Sequence, residues 1–332
     1  MAEGFRLPDY GIEGTRIGDI FVSNAEISMR SGGTTVFEGF CRDGTPVAVK
    51  RLVRGHRTVV SNWIPQLMTY EHPNIVRYLG FEFDEDFIYL PLERCTCSLY
   101  DLIRALSAAT DPSEFSVSLD DPPEIVKYKS KMRCIRDTMQ DVSLWTHGGC
   151  PSPLLLKLMR EVVSGLGHLH DLDILHRDLK PQNILITGKP LVAKLSDIGI
   201  SRCCPHGGSS TSCGTLGWQA REMLRPDVQP SPANDMFSLG CVLFFSVTGG
   251  KHPFGKPGKR AIDIQNNIQN NTMDLSSVAS IPEAHDLISG LLNPDPILRP
   301  KVSKVLHHPF WSSEMLSRFC FSSLDKMKKF VK

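Results

Sequence analysis

Several things are scarce in this sequence, and each scarcity removes a class of protein. The 37 basic and 36 acidic residues leave a formal net charge of +1, so no global field draws the chain to nucleic acid or to an anionic membrane. The most apolar run, MFSLGCVLFFSV at 236–247, is too short to cross a bilayer and reads as a buried helix. The opening MAEGFRLPDYGIEGTRIGDI has no apolar stretch of signal-peptide length, which sets the expectation of a soluble, cytoplasmic chain without a membrane segment. Ten cysteines are present, yet no C-x-x-C and no Cys/His spacing of a zinc site occurs among them. They read as thiols in a reducing compartment. No internal repeat is visible.

What is present is ordinary globular material, 41% hydrophobic and 22% charged over 332 residues, enough for one large or two modest domains. Residues 1–23 are Gly-rich and mixed, and are expected to form a loose leader. From Ile27 to Lys50 the pattern is that of strands: TTVFEGF and TPVAVKRLV flank CRDGT, where Asp43-Gly44 supplies a hairpin turn. FIYLPLE at 87–93 predicts a further strand. The front of the chain is therefore a small antiparallel sheet.

Behind it the pattern turns helical. PLLLKLMREVVSGLGHLH puts Leu155, Met159, Val162, Leu166 and Leu169 on one face. The 235–248 run is apolar all round and belongs at the centre of a helical unit. PEAHDLISGLL and VSKVLHH are two more amphipathic segments. Between these parts, residues 105–152 are polar, Pro-rich and turn-forming, and read as a mobile insertion. Its cations Lys127, Lys129, Lys131 and Arg133 form either a solvated charge run or a surface for phosphate or RNA, the former being the simpler reading.

The chemistry concentrates at ILHRDLKPQNILI, residues 174–186. Phosphoryl transfer from ATP needs a carboxylate near the acceptor hydroxyl, oxygens for a metal, and cations on the phosphates. Asp178 can orient and deprotonate a hydroxyl. Lys180 can offset charge on the transferring group, and Asn183 can give a neutral oxygen to Mg²⁺. Asp197, in LSDIGIS, adds a second carboxylate for the metal.

Taken with VAVK, SDIG, GT…E and LRP in that order, these motifs resemble the eukaryotic protein kinase family over about residues 24–312. The resemblance implies an α+β, bilobal protein kinase fold, with a small antiparallel β lobe (24–94) and a larger, mainly helical lobe (95–312). It implies ATP and Mg²⁺ as cofactors, and Lys180 points to serine/threonine acceptors. Carried over by position, Lys50 matches the lysine on the α- and β-phosphates. Ile27, Gly32 and Gly33 fall in the Gly-rich loop region, and Glu93, Arg94 and Cys95 match the adenine-binding hinge. Asp178 and Lys180 match the catalytic pair, and Asn183 and Asp197 the metal ligands. Glu222 and Arg299 match an internal ion pair, and Asp235 the helix-start aspartate that holds the catalytic-loop backbone.

EHPNIVRYLG, ERCTCSLYDLI, GWQARE, HPFG and HHPFW resemble one branch of that family. It holds the inositol-requiring stress-sensor kinase/endoribonucleases of the unfolded protein response and the 2-5A-dependent ribonuclease. The resemblance implies a protein substrate or self-phosphorylation, and either a homodimer or a dimer with a full-length relative, with endoplasmic-reticulum association through such a partner. Residues 313–332 resemble the start of that branch's ribonuclease domain; about 20 residues cannot make such a fold, so nuclease action and nucleic acid as a partner are not expected of this chain.

Four features depart from the family pattern: the phosphate loop, the helix glutamate, and two single replacements. Ser28 and Arg30 replace glycines of the phosphate loop. Asn62 stands where a helix glutamate pairs with the phosphate lysine, and no Asp or Glu occurs from Arg51 to Tyr70. Pro65 lies inside that helix, where proline costs roughly 3 kcal/mol. Ile198 replaces a phenylalanine, and Arg221 a proline. The expectation is an attenuated kinase, with a nucleotide-binding pseudokinase that serves as a dimerisation or scaffold module as the alternative. Ser201, Ser209, Ser210, Thr211, Ser212 and Thr215 read either as phosphoacceptors whose phosphate Arg177 would pair, or as part of a flexible Ser/Gly loop.

Overall fold

The computed structural model describes residues 12–29, 35–53, 68–69, 71–107, 112–118, 120–198, 214–225, 227–256 and 258–312. They fall into two compact units that divide between Thr96 and Cys97, two residues beyond the boundary expected from the motifs.

The first unit is a six-stranded antiparallel sheet. Its strands are β1 (Gly14–Ile17), β2 (Ile20–Met29), β3 (Thr35–Cys41), β4 (Pro46–Val53), β5 (Glu82–Phe83) and β6 (Phe87–Glu93), in the order β1-β2-β3-β4-β6-β5. The β3–β4 hairpin forms as its turn residues predict. Gly44 takes φ +84°, the left-handed conformation that glycine adopts without penalty. Asp43 Oδ1 accepts the Thr45 N–H at 2.9 Å, which holds the Asp43 carboxyl below the usual carboxylate range. Strand alternation puts Val47 and Val49 into a core with Ile20, Val22, Phe37 and Tyr89. Ala48 and Lys50 therefore point to the opposite face, with Lys50 registered between Val36 and Leu90, and Ala48 between Glu38 and Leu92.

The expected leader is corrected here: β1 and the first part of β2 lie within it. Ile20, Phe21 and Val22 are an apolar triplet that the sheet buries. The strand was hidden because register shifts in the β2–β3 pairing, between Val22 and Ser28, interrupt the alternation that marks a strand.

The second unit is mainly helical. It contains a three-stranded sheet of β7 (Cys97–Ser98), β8 (Ile184–Thr187) and β9 (Val192–Leu195). Its helices are α1 (Leu99–Leu106), α2 (Pro123–Thr138), α3 (Pro153–Asp171), α4 (Pro232–Val247), α5 (Ala261–Gln269), α6 (Pro282–Leu291) and α7 (Val302–Leu306). Ser152 caps α3, its Oγ accepting from Leu155 N–H at 3.2 Å, and the five-residue face predicted from periodicity is fully buried. In α4 every residue from Asn234 to Val247 is buried, as an all-round apolar helix requires.

The insertion is also corrected. Within 105–152 lies the 16-residue helix α2, which buries Met132 and Ile135. Its basic residues do specific work. Lys129 pairs with Asp121 at 2.7 Å and Lys131 with Asp101 of α1 at 2.8 Å. Arg133 donates to the Phe115 carbonyl at 3.0 Å. Lys129, Lys131 and Arg133 thus tie the helix to its neighbours, while Lys127 is exposed.

Candidate active site

The loop from Leu172 to Asn183 joins α3 to β8, and its shape is imposed by one carboxylate at the start of α4. Asp235 is 2% exposed. Its Oδ2 accepts the His176 N–H and its Oδ1 the Arg177 N–H, each at 2.9 Å, while the His170 ring meets Oδ2 at 3.0 Å. Arg177 sits at φ +66°, a left-handed conformation that costs a non-glycine residue about 1–2 kcal/mol. The paired Asp235 bonds offset that cost. His176 is completely buried, and burial pushes its pKa down against the opposing pull of Asp235 and Asp178, so it is a neutral core residue.

The strained turn presents Asp178. Its Oδ2 accepts from Asn183 Nδ2 at 2.8 Å and pairs with Lys180 Nζ at 2.8 Å. Its Oδ1 accepts from Thr215 Oγ at 2.6 Å, and Lys180 also donates to that threonine hydroxyl. Four side chains from two separate segments thus close into one cluster. Asn183 gives its nitrogen to both the main chain and the side chain of Asp178, which makes the amide oxygen the end suited to a cation. Ser196 donates through both N–H and Oγ to the Asn183 carbonyl, at 2.9 and 3.0 Å. That staple ties the entry of β8 to the exit of β9, where Asp197 follows in a left-handed conformation, φ +62°. Carboxylate and amide oxygens are the donor chemistry of a hard divalent cation that takes its remaining ligands from phosphate and water, and the residues present fit that group.

Below the cluster, Glu222 and Arg299 form the expected pair. The Arg299 guanidinium is wholly buried and meets Glu222 at 2.5 and 3.1 Å. It also donates to the carbonyls of Ala233 and Asn293 at 3.0 and 2.8 Å and lies 5.1 Å from the Phe237 ring centroid. Asn234 donates to Glu222 at 2.6 Å. Arg221, in place of proline, leaves this pair undisturbed. Ile198 is fully buried, an apolar side chain in an apolar place.

In the sheet unit, Lys50 is 4% exposed and Ile27 is half-buried on β2. The side chains of the hinge residues have structural partners. Glu93 accepts the Arg77 N–H at 2.8 Å, Arg94 pairs with Glu38 at 2.5 Å, and Cys95 Sγ lies 3.9 Å from the Glu93 carbonyl. Arg30, Gly32, Gly33, Asn62, Pro65, Ser201, Ser209, Ser210, Thr211 and Ser212, together with residues 313–332, lie outside the described residues. Among the phosphoacceptor candidates only Thr215 is described, and its hydroxyl is bound inside the Asp178 cluster.

Sequence reasoning missed that bond, along with the His170 and Asn234 contacts. Thr215 is 37 residues from Asp178 and His170 is 65 from Asp235, so no local pattern links either pair. The Gly-Thr motif at 214–215 was the one available signal.

A loop holding an aspartate, a lysine and an asparagine around one carboxylate, with a second aspartate after the next hairpin, is the arrangement of a phosphotransferase. A family model described as "Protein kinase domain" matches residues 123–311, and the chain belongs to that family, whose members use ATP and a divalent metal. Within it, this is a kinase domain closely related to kinase/endoribonucleases of the IRE1 type. It is 47% identical over 329 residues to the serine/threonine-protein kinase/endoribonuclease IRE1a of Arabidopsis thaliana, an alignment that takes in 95% of this chain and 38% of that protein. It is 33% identical to the human protein IRE2, over 95% of this chain and 31% of the relative. A third relative, from Arabidopsis thaliana, carries the name "Inactive serine/threonine-protein kinase/endoribonuclease IRE1-like"; it is 39% identical over 93% of this chain and 55% of its own length. The chain thus spans about a third to a half of the relatives it matches. The fold also matches a solved structure of Rad53 with AMP-PNP, with a TM-score of 0.64 and 24% identity over 89% of this chain and 66% of that one. Among the described residues no helix is long and apolar enough to cross a membrane.

Proposed function

We propose that this chain is an ATP-dependent serine/threonine protein kinase domain of the stress-sensor type, slower than a fully equipped kinase, which phosphorylates a protein substrate or a second copy of itself in the cytoplasm. The observation that carries this reading is the Asp178–Lys180–Asn183–Thr215 cluster, which organises a base, a cation and an amide around one point. Asp178 orients the acceptor hydroxyl and takes its proton. Lys180, already within reach of Asp178 and Thr215, offsets charge on the transferring phosphoryl. Lys50 takes the α- and β-phosphates, and the main chain of Glu93–Cys95 takes adenine. The amide oxygen of Asn183 and the Asp197 carboxylate would hold Mg²⁺, which would supply neutralisation of the developing phosphate charge. Thr215 fixes the rotamer of Asp178; it is a positioning residue and not a phosphoacceptor, since a phosphate there would place a dianion against a carboxylate.

A reduced rate is expected because Asn62 stands where the family pattern places the helix glutamate that pairs with the phosphate lysine. Loss of one preorganised electrostatic contact costs a factor of roughly 10²–10³. A second reading has its own support: Asn62, together with an inactive-named relative at 39% identity, favours a nucleotide-binding scaffold that acts by dimerising with itself or with a full-length relative. Transfer of radiolabelled phosphate from Mg–ATP to the chain and to a generic acceptor separates the two. Asp178→Asn abolishes transfer and leaves the Mg–ATP thermal shift in place if the kinase reading holds. Binding with no transfer, the same in wild type and variant, establishes the scaffold.

A further inference from the structure

A basic shoulder of the helical unit is built against the segment that leaves the Asp178 cluster. Thr215, whose hydroxyl bonds Asp178 at 2.6 Å, is followed by Leu216, which is 45% exposed, and then by Gly217. Helix α5 grips that glycine. Its buried Gln265 accepts the Gly217 N–H through Oε1 at 2.7 Å and donates through Nε2 to the Gln219 carbonyl at 3.4 Å. A Cβ on Gly217 would stand 3.4 Å from Ile264 and 3.8 Å from the Ala261 carbonyl oxygen. The start of α5 is thus fixed relative to the reactive carboxylate. At about 3.3–3.6 Å per extended residue, a chain that lies with its acceptor at Asp178 can reach the start of α5 within a few residues.

Cations gather there. Lys251, Lys256, Lys259 and Arg260 are all exposed, in a chain whose net charge is only +1. The Lys259 N–H donates to the Lys256 carbonyl at 3.1 Å, which draws the last three together. The segment is pinned from below, Asn267 Nδ2 donating to the Phe254 carbonyl at 2.8 Å and the Asp274 N–H to the Pro253 carbonyl at 2.8 Å. Two carboxylates stand among the cations, and both are engaged by main chain. Asp263 accepts the Arg260 N–H at 3.2 Å and meets its guanidinium at 3.3 Å. Asp274 accepts the Ser276 N–H at 2.9 Å, and Lys256 and Lys251 lie near enough to favour its charged form further. Among the described residues neither Lys256 nor Lys259 forms an ion pair. We propose, resting on the kinase reading above, that Lys256, Lys259 and Arg260 receive acidic residues of the acceptor protein, so that the substrate class is a serine or threonine segment flanked by aspartates and glutamates. Carboxylates near the acceptor gain attraction at this shoulder and lysines meet repulsion, a contribution to choice among acceptors more than to raw affinity. The fixed place of the cations beside Gly217 and Asp178 favours an acceptor protein over an anionic membrane.

The test uses a short fluorescent peptide with one serine among aspartates and glutamates, against the same peptide with asparagine and glutamine in their places. Anisotropy on the full chain should show tighter binding of the acidic peptide, weakening as salt passes about 0.1 M, where the screening length is about 10 Å. Lys256→Glu with Lys259→Glu should weaken that binding about tenfold, which is 1.4 kcal/mol, with the melting curve unchanged. The same double variant should bind a peptide carrying lysines in the acidic places better than wild type does. In transfer assays it should act on KM for the acidic peptide rather than on kcat. Lys301→Glu with Lys304→Glu, an equal change of charge at α7, should leave peptide binding as it was. The proposal is overturned if the acidic peptide binds no better than the neutral one, if both double variants weaken it alike, or if the change at Lys256 and Lys259 affects only binding to phosphatidylserine vesicles. A chain that transfers no phosphate sinks the kinase reading alone, because the binding measurements decide the docking surface without it.

Discussion

Replacing Glu222 with alanine tests the physical account of the helical unit most sharply. Arg299 has no solvent-exposed side-chain surface, and Glu222 is its only carboxylate partner among the described residues, at 2.5 and 3.1 Å. The Glu222→Ala chain keeps the guanidinium buried with the carbonyls of Ala233 and Asn293 and the face of Phe237, all of them too weak to balance a full charge. Removing one partner of a buried pair costs about 3–5 kcal/mol. At about 2–4 °C per kcal/mol for a domain of this size, the melting temperature should fall by about 6–20 °C. The companion variant, Glu222→Leu with Arg299→Met, removes both charges and fills the volume. It should recover most of the loss, because replacing a buried pair by apolar groups of similar size is often neutral. Differential scanning calorimetry on the single and double variants reads both numbers. A single variant within about 1 kcal/mol of wild type, or a double variant worse than the single, would refute the reasoning, for it would mean that solvent reaches the guanidinium.

Other expectations follow from named contacts. His252 is buried against Trp218, ring centroids 4.9 Å apart, and burial lowers its pKa to about 4, partly opposed by the Gly217 main chain. The folded state therefore binds fewer protons than the unfolded one between about pH 4 and 6.5, and stability falls as pH drops through that window, by up to about 3 kcal/mol at its acid end; His252→Gln should flatten that part of a pH–denaturation series. Thr215→Val should cut phosphate transfer through kcat while leaving Mg–ATP binding unchanged, and Thr215→Ser should restore most of it; equal loss in both variants would show that the hydroxyl is not what positions Asp178. Asn62→Glu should raise transfer by one to two orders of magnitude if the missing carboxylate limits the rate, and an unchanged rate in single-turnover assays would place the limit elsewhere.

The parts of this molecule that could be read from the sequence are those whose signals are local. The β3–β4 hairpin is written in Asp43-Gly44 and two β-branched runs, α3 in five apolar residues at helical spacing, and α4 in an unbroken apolar stretch. Asp178, Lys180 and Asn183 could be grouped from the sequence because they sit within six positions of one another, and the structure does bring their side chains together. The misread parts are held by distant contacts. Helix α2 has a weak apolar face, only Met132 and Ile135 being buried along it. Its remaining anchors are ion pairs, one of them to Asp101, which no window of sequence around α2 contains. β2 was missed at its start because irregular pairing breaks its period. The same distance effect hid the bond from Thr215 to Asp178, whose partners lie 37 residues apart.

Asp235 gives the reactive loop an unusual kind of permanence. The amide hydrogens of His176 and Arg177 are bonded to a carboxylate that belongs to α4, buried at every position from Asn234 to Val247. Loops ordinarily open by small local excursions, but these two amides cannot be released unless α4 itself comes apart. In deuterated solvent they should keep their protons nearly as long as the hydrophobic centre does, so that the turn at His176–Arg177 becomes one of the last parts to lose its shape on heating.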